Sequence, residues 1–93
     1  MDEIIKNIEK KFGVELGCIL DEHFDANIPD QKIYFFKKYV LIITDYFNDH
    51  DLNIFFPKKI LEYGKKIKNY KKDSSGNIKY MTSEGWAILA EVE

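Results

Sequence analysis

The sequence predicts a small α+β fold: one domain over residues 1–93, with an antiparallel sheet of roughly four to six strands carrying an N-terminal helix and a lysine-rich helix. Three observations carry this. Residues 2–12 repeat apolar side chains at helical spacing. Residues 32–56 are dense in β-branched and aromatic side chains, the types that suit a pleated, half-buried surface. Residues 57–72 set apolar positions among lysines behind Pro57, and proline suits a first helical position.

In residues 2–12, Ile4, Ile5, Ile8 and Phe12 form one stripe. Asp2 and Glu3 in the first turn and Lys10 and Lys11 in the last suit the helix dipole, and Gly13 is placed as a C-cap. Residues 14–20 alternate loosely and read as a strand, with Gly17 a bulge candidate and Cys18 a small buried filler. Asp21-Glu22-His23-Phe24-Asp25 and the segment up to Pro29-Asp30 read as polar loop. Residues 32–36 and 39–47 read as strands turned at Lys37-Lys38. A single buried helix over 32–47 also matches the periodicity, but Val40, Ile42, Ile43 and Thr44 favour the strands. Asn48-Asp49-His50-Asp51 then reads as the turn of a central hairpin with residues 52–56 as its second strand.

In the expected 58–72 helix, Ile60, Tyr63, Gly64, Ile67 and Tyr70 trace one face. Gly64 marks either a close approach to the sheet or an early end. Asp73-Ser74-Ser75-Gly76-Asn77 is a turn, and residues 78–81 return as a strand. Residues 86–92 are apolar: a strand if they join the sheet, a helix if Thr82 caps them. The expected core is Ile4, Ile8, Phe12, Leu20, Val40, Ile42, Phe55, Ile60, Ile67 and Trp86.

Composition narrows the function classes. A hydrophobic content of 45% is enough to bury a core and argues against general disorder. The single cysteine makes no internal disulfide, and no apolar run nears the ~18–20 residues of a membrane span. A cytoplasmic protein, monomer or homodimer, is the expectation. Every basic residue is lysine, and Ile and Asn are common, as in an AT-rich genome. The net charge of −2 conceals segregation: residues 1–56 hold eleven acids against six lysines, residues 57–82 hold eight lysines against two acids, and the remainder adds three glutamates. An acidic side and a basic side are therefore expected.

Three constellations bear on function. Asp21-Glu22-His23-x-Asp25 and Asn48-Asp49-His50-Asp51 place histidines beside carboxylates, but neither spacing is a metal signature, so no metal, cofactor or catalytic residue is assigned. The second constellation is basic: Lys58, Lys59, Lys65, Lys66, Lys68 and Lys72, followed by the 73–77 turn, suit a phosphate backbone. Met81-Thr82-Ser83-Glu84-Gly85 resembles the strand-to-helix step of winged-helix regulators, where an LT-x-x-G segment starts the final helix. That resemblance implies a nucleic-acid-binding regulator with the 58–72 helix against nucleic acid and the 73–77 turn as its wing. Against it, residues 32–56 are too β-rich, and no arginine is present to read guanine.

The third constellation is acidic and aromatic: Asp21, Glu22, Asp25, Asp30, Asp45, Asp49 and Asp51 are interleaved with Phe24, Tyr34, Tyr46 and Phe47. The expected partner-binding residues are Asp21, Glu22, Asp25, Tyr34, Asp45, Tyr46, Asp49, His50 and Asp51. Carboxylates flanked by aromatics make anchors for a basic protein partner. By size, charge and lack of active-site motifs, the expected function is a protein-binding inhibitor rather than an enzyme. An immunity-type or phage-type protein that neutralises a toxin or nuclease by stoichiometric binding fits this description.

Overall fold

The computed structural model of the chain describes residues 2–26, 30–45, 58 and 60–93. Among the described residues are the α-helix α1 (Asp2–Phe12), a short helical run at 60–62, and the strands β1 (Asp21–Asp25), β2 (Gln31–Phe35), β3 (Tyr39–Thr44), β4 (Ile67–Tyr70), β5 (Lys79–Thr82) and β6 (Gly85–Val92). All pairings are antiparallel, in the order β1-β2-β3-β6-β4, with β5 also paired to β6. The expected α+β class and antiparallel sheet are both present.

α1 forms where its periodicity placed it and buries Ile8 and Phe12. Gly13 adopts φ +66, and the Val14 N–H reaches back to the Glu9 carbonyl at 3.1 Å, a left-handed helix stop. The strand expected at 14–20 does not form. The Glu9 carboxylate takes the Leu16 N–H at 2.8 Å and Gly17 turns left-handed at φ +80, so the segment starts tied to the helix end and reaches β2 only at Leu20, whose N–H meets the Phe35 carbonyl at 2.7 Å. Leu16 is buried and half-buried Val14 packs against the same cluster; Cys18 is exposed and Leu20 is 66% exposed, contrary to expectation.

β2 and β3 form the hairpin expected around Lys37-Lys38, closed by Phe36 N–H to the Tyr39 carbonyl at 2.8 Å, so the helical reading of 32–47 fails. β3 takes its neighbours from β2 and β6; the 52–56 half of the expected central hairpin lies outside the described residues. Residues 86–92 are strand. β6 is central, paired with β3 along one side and, along the other, with β5 over Gly85 to Ile88 and with β4 over Ala90 to Val92, and Ala87 to Ala90 are all buried. A strand covered on both faces reads as a continuous apolar run, which is why periodicity alone left its class open.

Both faces of the sheet are packed. α1 covers Tyr34, Phe36, Leu41, Ile43, Ala87 and Leu89 on one. On the other, Ile33, Phe35, Val40, Ile42, Ile88 and Val92 cluster with Ile60. Of the expected core, Ile8, Phe12, Val40, Ile42 and Ile60 are buried, Ile4, Ile67 and Trp86 are half-buried, and Phe55 is outside the described residues.

The lysine-rich helix is corrected more heavily. Residues 60–62 are helical, but Gly64 at φ +73 ends the run, with Lys65 N–H on the Ile60 carbonyl at 3.3 Å and Gly64 N–H on that of Leu61 at 2.9 Å. Beyond it the chain straightens into β4, and Ile67 and Tyr70 pack on the sheet instead of along a helix face. The final helix implied by the winged-helix resemblance is also absent. Ser83-Glu84 is the tight turn between β5 and β6, held by Thr82 Oγ1–H to the Gly85 carbonyl at 2.8 Å and Glu84 N–H to Thr82 Oγ1 at 3.1 Å. The 73–77 turn is present as expected, with Asp73 Oδ1 accepting from the Ser75 and Asn77 N–H groups at 2.9 Å each.

Candidate protein-binding edge

The strand order sets an acidic strand at one edge of the sheet and a lysine-flanked strand at the other. β1 reads Asp-Glu-His-Phe-Asp. β4 carries Lys68, with Lys65, Lys66, Lys71 and Lys72 on its flanks. The charge segregation in the sequence thus becomes two opposite edges of one sheet, except that Lys65 lines a groove with Asp21 beside β1.

Register fixes the faces of β1. Glu22 lies opposite Tyr34 and Phe24 opposite Lys32, on the α1 side; Asp21, His23 and Asp25 lie opposite Phe35, Ile33 and Gln31, on the other. Glu22 and Phe24 are exposed, Phe24 by 58%, and they line an open groove with Lys32 and Tyr34. On the opposite face the His23 ring lies 5.0 Å from that of Tyr63, which in turn lies 5.1 Å from Phe35. There Leu20, Asp21, Phe35, Tyr63 and Lys65 line a second groove. Apolar side chains at Leu20, Phe24, Leu61 and Tyr63 are thus exposed around carboxylates.

The expected partner-binding residues divide three ways. Asp21 and Glu22 are exposed on β1, and Asp45 is exposed just after β3, its N–H on the Asp30 carbonyl at 3.4 Å. Asp25 and Tyr34 are buried, at 8% and 7% exposure. Tyr46, Asp49, His50 and Asp51 lie outside the described residues. Burial raises the Tyr34 phenol above its ordinary value, helped by the nearby carboxylates of Glu84 and Glu22. Tyr34 therefore serves as a neutral hydroxyl in the wall of the groove.

Leu20 is an exposed member of this edge that the sequence reading lacked, and Phe24, named in the acidic and aromatic constellation but not among the expected contacts, is a second. The legible signal was one aromatic at alternating spacing within a charged pentapeptide. A polar strand is tolerated at a sheet edge, where only one side is paired.

The basic set is partly neutralised within the molecule. Lys68 and Lys71 approach the Glu91 carboxylate at 4.0 and 3.4 Å, and Lys11 approaches Asp73 at 3.9 Å. Lys79 sits 4.8 Å from the centre of the Trp86 ring. Lys58, Lys66 and Lys72 are exposed, Lys65 is half-buried, and Lys59 lies outside the described residues.

Among the described residues, no three His, Cys, Asp or Glu side chains group closely enough to hold a metal. Likewise, no helix among them is long and apolar enough to cross a membrane. No protein-family model matches the chain, and neither a curated protein nor a solved structure matches it.

Proposed function

We propose that this protein is a small cytoplasmic inhibitor of the immunity or phage-encoded type, which neutralises a basic toxin or nuclease by stoichiometric binding and performs no catalysis. The observation that carries this reading is the β1 edge, where exposed Asp21 and Glu22 stand beside exposed Leu20 and Phe24. Carboxylates speed the encounter with a cationic surface, and apolar groups at the centre of such a patch supply the buried contact that slows dissociation. Asp45 extends the acidic surface at the far end of β3.

The lysines around β4 supply the competing surface. They would favour a nucleic-acid backbone, though along a strand and its flanks rather than along a helix.

The experiment pairs this chain with the toxin or nuclease encoded beside it, measuring binding by calorimetry for two double variants. Asp21→Lys with Glu22→Lys is expected to weaken association at least about tenfold, chiefly through slower encounter. Lys66→Glu with Lys72→Glu is expected to leave it within about twofold, since both lysines are exposed and changes away from a contact are mild. Loss of binding in the lysine variant alone would overturn the proposal in favour of the basic edge.

A further inference from the structure

We infer that the outer edge of β1 is a docking strand: an extended segment of a basic partner adds to the sheet beside it, lysine or arginine side chains alternating with apolar ones. This rests on the acidic-edge reading above and specifies its mode of contact.

The backbone supplies the first argument. Phe36 donates its N–H to the Tyr39 carbonyl, and the Asp30 carbonyl accepts from the Asp45 N–H, so the even-numbered residues of β2 bond towards β3. Antiparallel ladders alternate, so Ile33 and its odd-numbered neighbours bond towards β1, through Asp21, His23 and Asp25. The N–H and C=O groups of Glu22 and Phe24 therefore point away from β2. Among the described residues no strand pairs with them. The Glu22 N–H is held by the carboxylate of Asp21, its own neighbour, at 2.9 Å. A partner carbonyl would take over that N–H and release Asp21 to a partner cation.

The side chains supply the second. An added strand projects residues alternately to the two faces, and each face of this edge has a groove, one beside Glu22 and Phe24 and one beside Leu20 and Asp21. Each groove offers one β1 carboxylate, Glu22 or Asp21, beside apolar side chains, and its lysine, Lys32 or Lys65, stands on the side away from the open edge of β1, so cationic and apolar side chains in alternation fit. A second copy adding through its own β1 is disfavoured. Two-fold pairing about His23 would set Asp21 of each copy against Asp25 of the other, and like charges directly opposite destabilise a sheet.

The test titrates the full chain with the peptide Lys-Val-Lys-Val-Lys-Val-Lys, followed by amide NMR. Two analogues accompany it: one N-methylated at alternate residues on its bonding edge, and one with Glu for Lys. Expected are shifts concentrated at residues 20–25, roughly tenfold weaker binding for the N-methylated peptide, and none for the acidic one. Phe24→Pro, which removes an outward N–H that an edge strand can spare, should weaken binding well beyond Phe24→Ala.

Equal binding of the N-methylated peptide would overturn strand addition while leaving the acidic-edge reading intact. Shifts centred on β4, equal binding of the acidic peptide, or no binding at all would overturn both. Self-association through β1 and the basic β4 edge of a second copy, seen by sedimentation and removed by Lys68→Glu, would overturn the assignment to a foreign partner.

Discussion

Gly85 lies so close to Thr44 that a methyl group on its Cα would sit 2.7 Å from the Thr44 carbonyl oxygen. Its φ of +126 is also disfavoured for any residue with a side chain. Gly85→Ala is therefore expected to lose about 2 kcal/mol or more, because backbone rather than a flexible side chain must move. A urea midpoint unchanged from the parent would refute this.

Ile42 is fully buried in β3, opposite Ile33 on one side and Ile88 on the other. Truncation to Ala should remove roughly 2–5 kcal/mol, enough to unfold a marginal domain. A loss below about 1 kcal/mol in chemical denaturation would show that the packing around β3 collapses onto the gap.

Gln31 is fully buried, and among the described residues its amide oxygen and nitrogen have no hydrogen-bond partner. Leaving a buried polar group unsatisfied costs about 1–3 kcal/mol. Gln31→Met, similar in volume, should hold or raise stability. A loss beyond about 1 kcal/mol would mean that the amide is satisfied in solution.

The Asp73 carboxyl is held below its ordinary value of 3.8, first by the Asn77 backbone N–H and further by the Ser75 N–H and Lys11. A carboxyl depressed in the folded state stabilises it above the unfolded value, and that contribution fades as pH falls through the folded one. Asp73→Asn keeps the acceptor oxygen and removes the charge. Its melting temperature should therefore sit below the parent's near neutrality, and the gap should narrow as pH falls from 3.8 through the lower folded value. A gap of constant size from neutral to acid pH would show that the charge contributes nothing.

Legibility in the sequence followed burial. α1, β2, β3 and the 73–77 turn were readable because their side chains carry the pattern: Ile8 and Phe12 on one stripe, Val40, Ile42, Ile43 and Thr44 β-branched, Asp73 poised to cap a turn. β6 was readable as core but not as strand, since two-sided burial erases alternation. β1 was misread as loop because its pairing energy lies in the backbone, while its side chains are those of a turn. Residues 65–70 misled in the opposite sense. Ile67 and Tyr70 are three apart, as on a helix, but Gly64 had already ended the helix and a register shift between Ile67 and Asn69 adjusts their pairing with β6. The acidic surface was legible as composition; that Leu20, Asp21, Glu22 and Phe24 are exposed side by side depended on knowing that β1 is an edge.

The opposition of an acidic edge and a lysine-flanked edge also means that net charge describes this molecule poorly. Four strand spacings separate β1 from β4, about 19 Å. That exceeds the Debye length of about 8 Å at physiological ionic strength, so an approaching molecule senses one edge at a time. Near 0.01 M salt the Debye length grows to roughly 30 Å, and the two edges merge into a single dipole lying across the strands. Dilution of the medium thus turns two independent surfaces into one oriented body, which swings its β1 edge towards a cationic surface before contact.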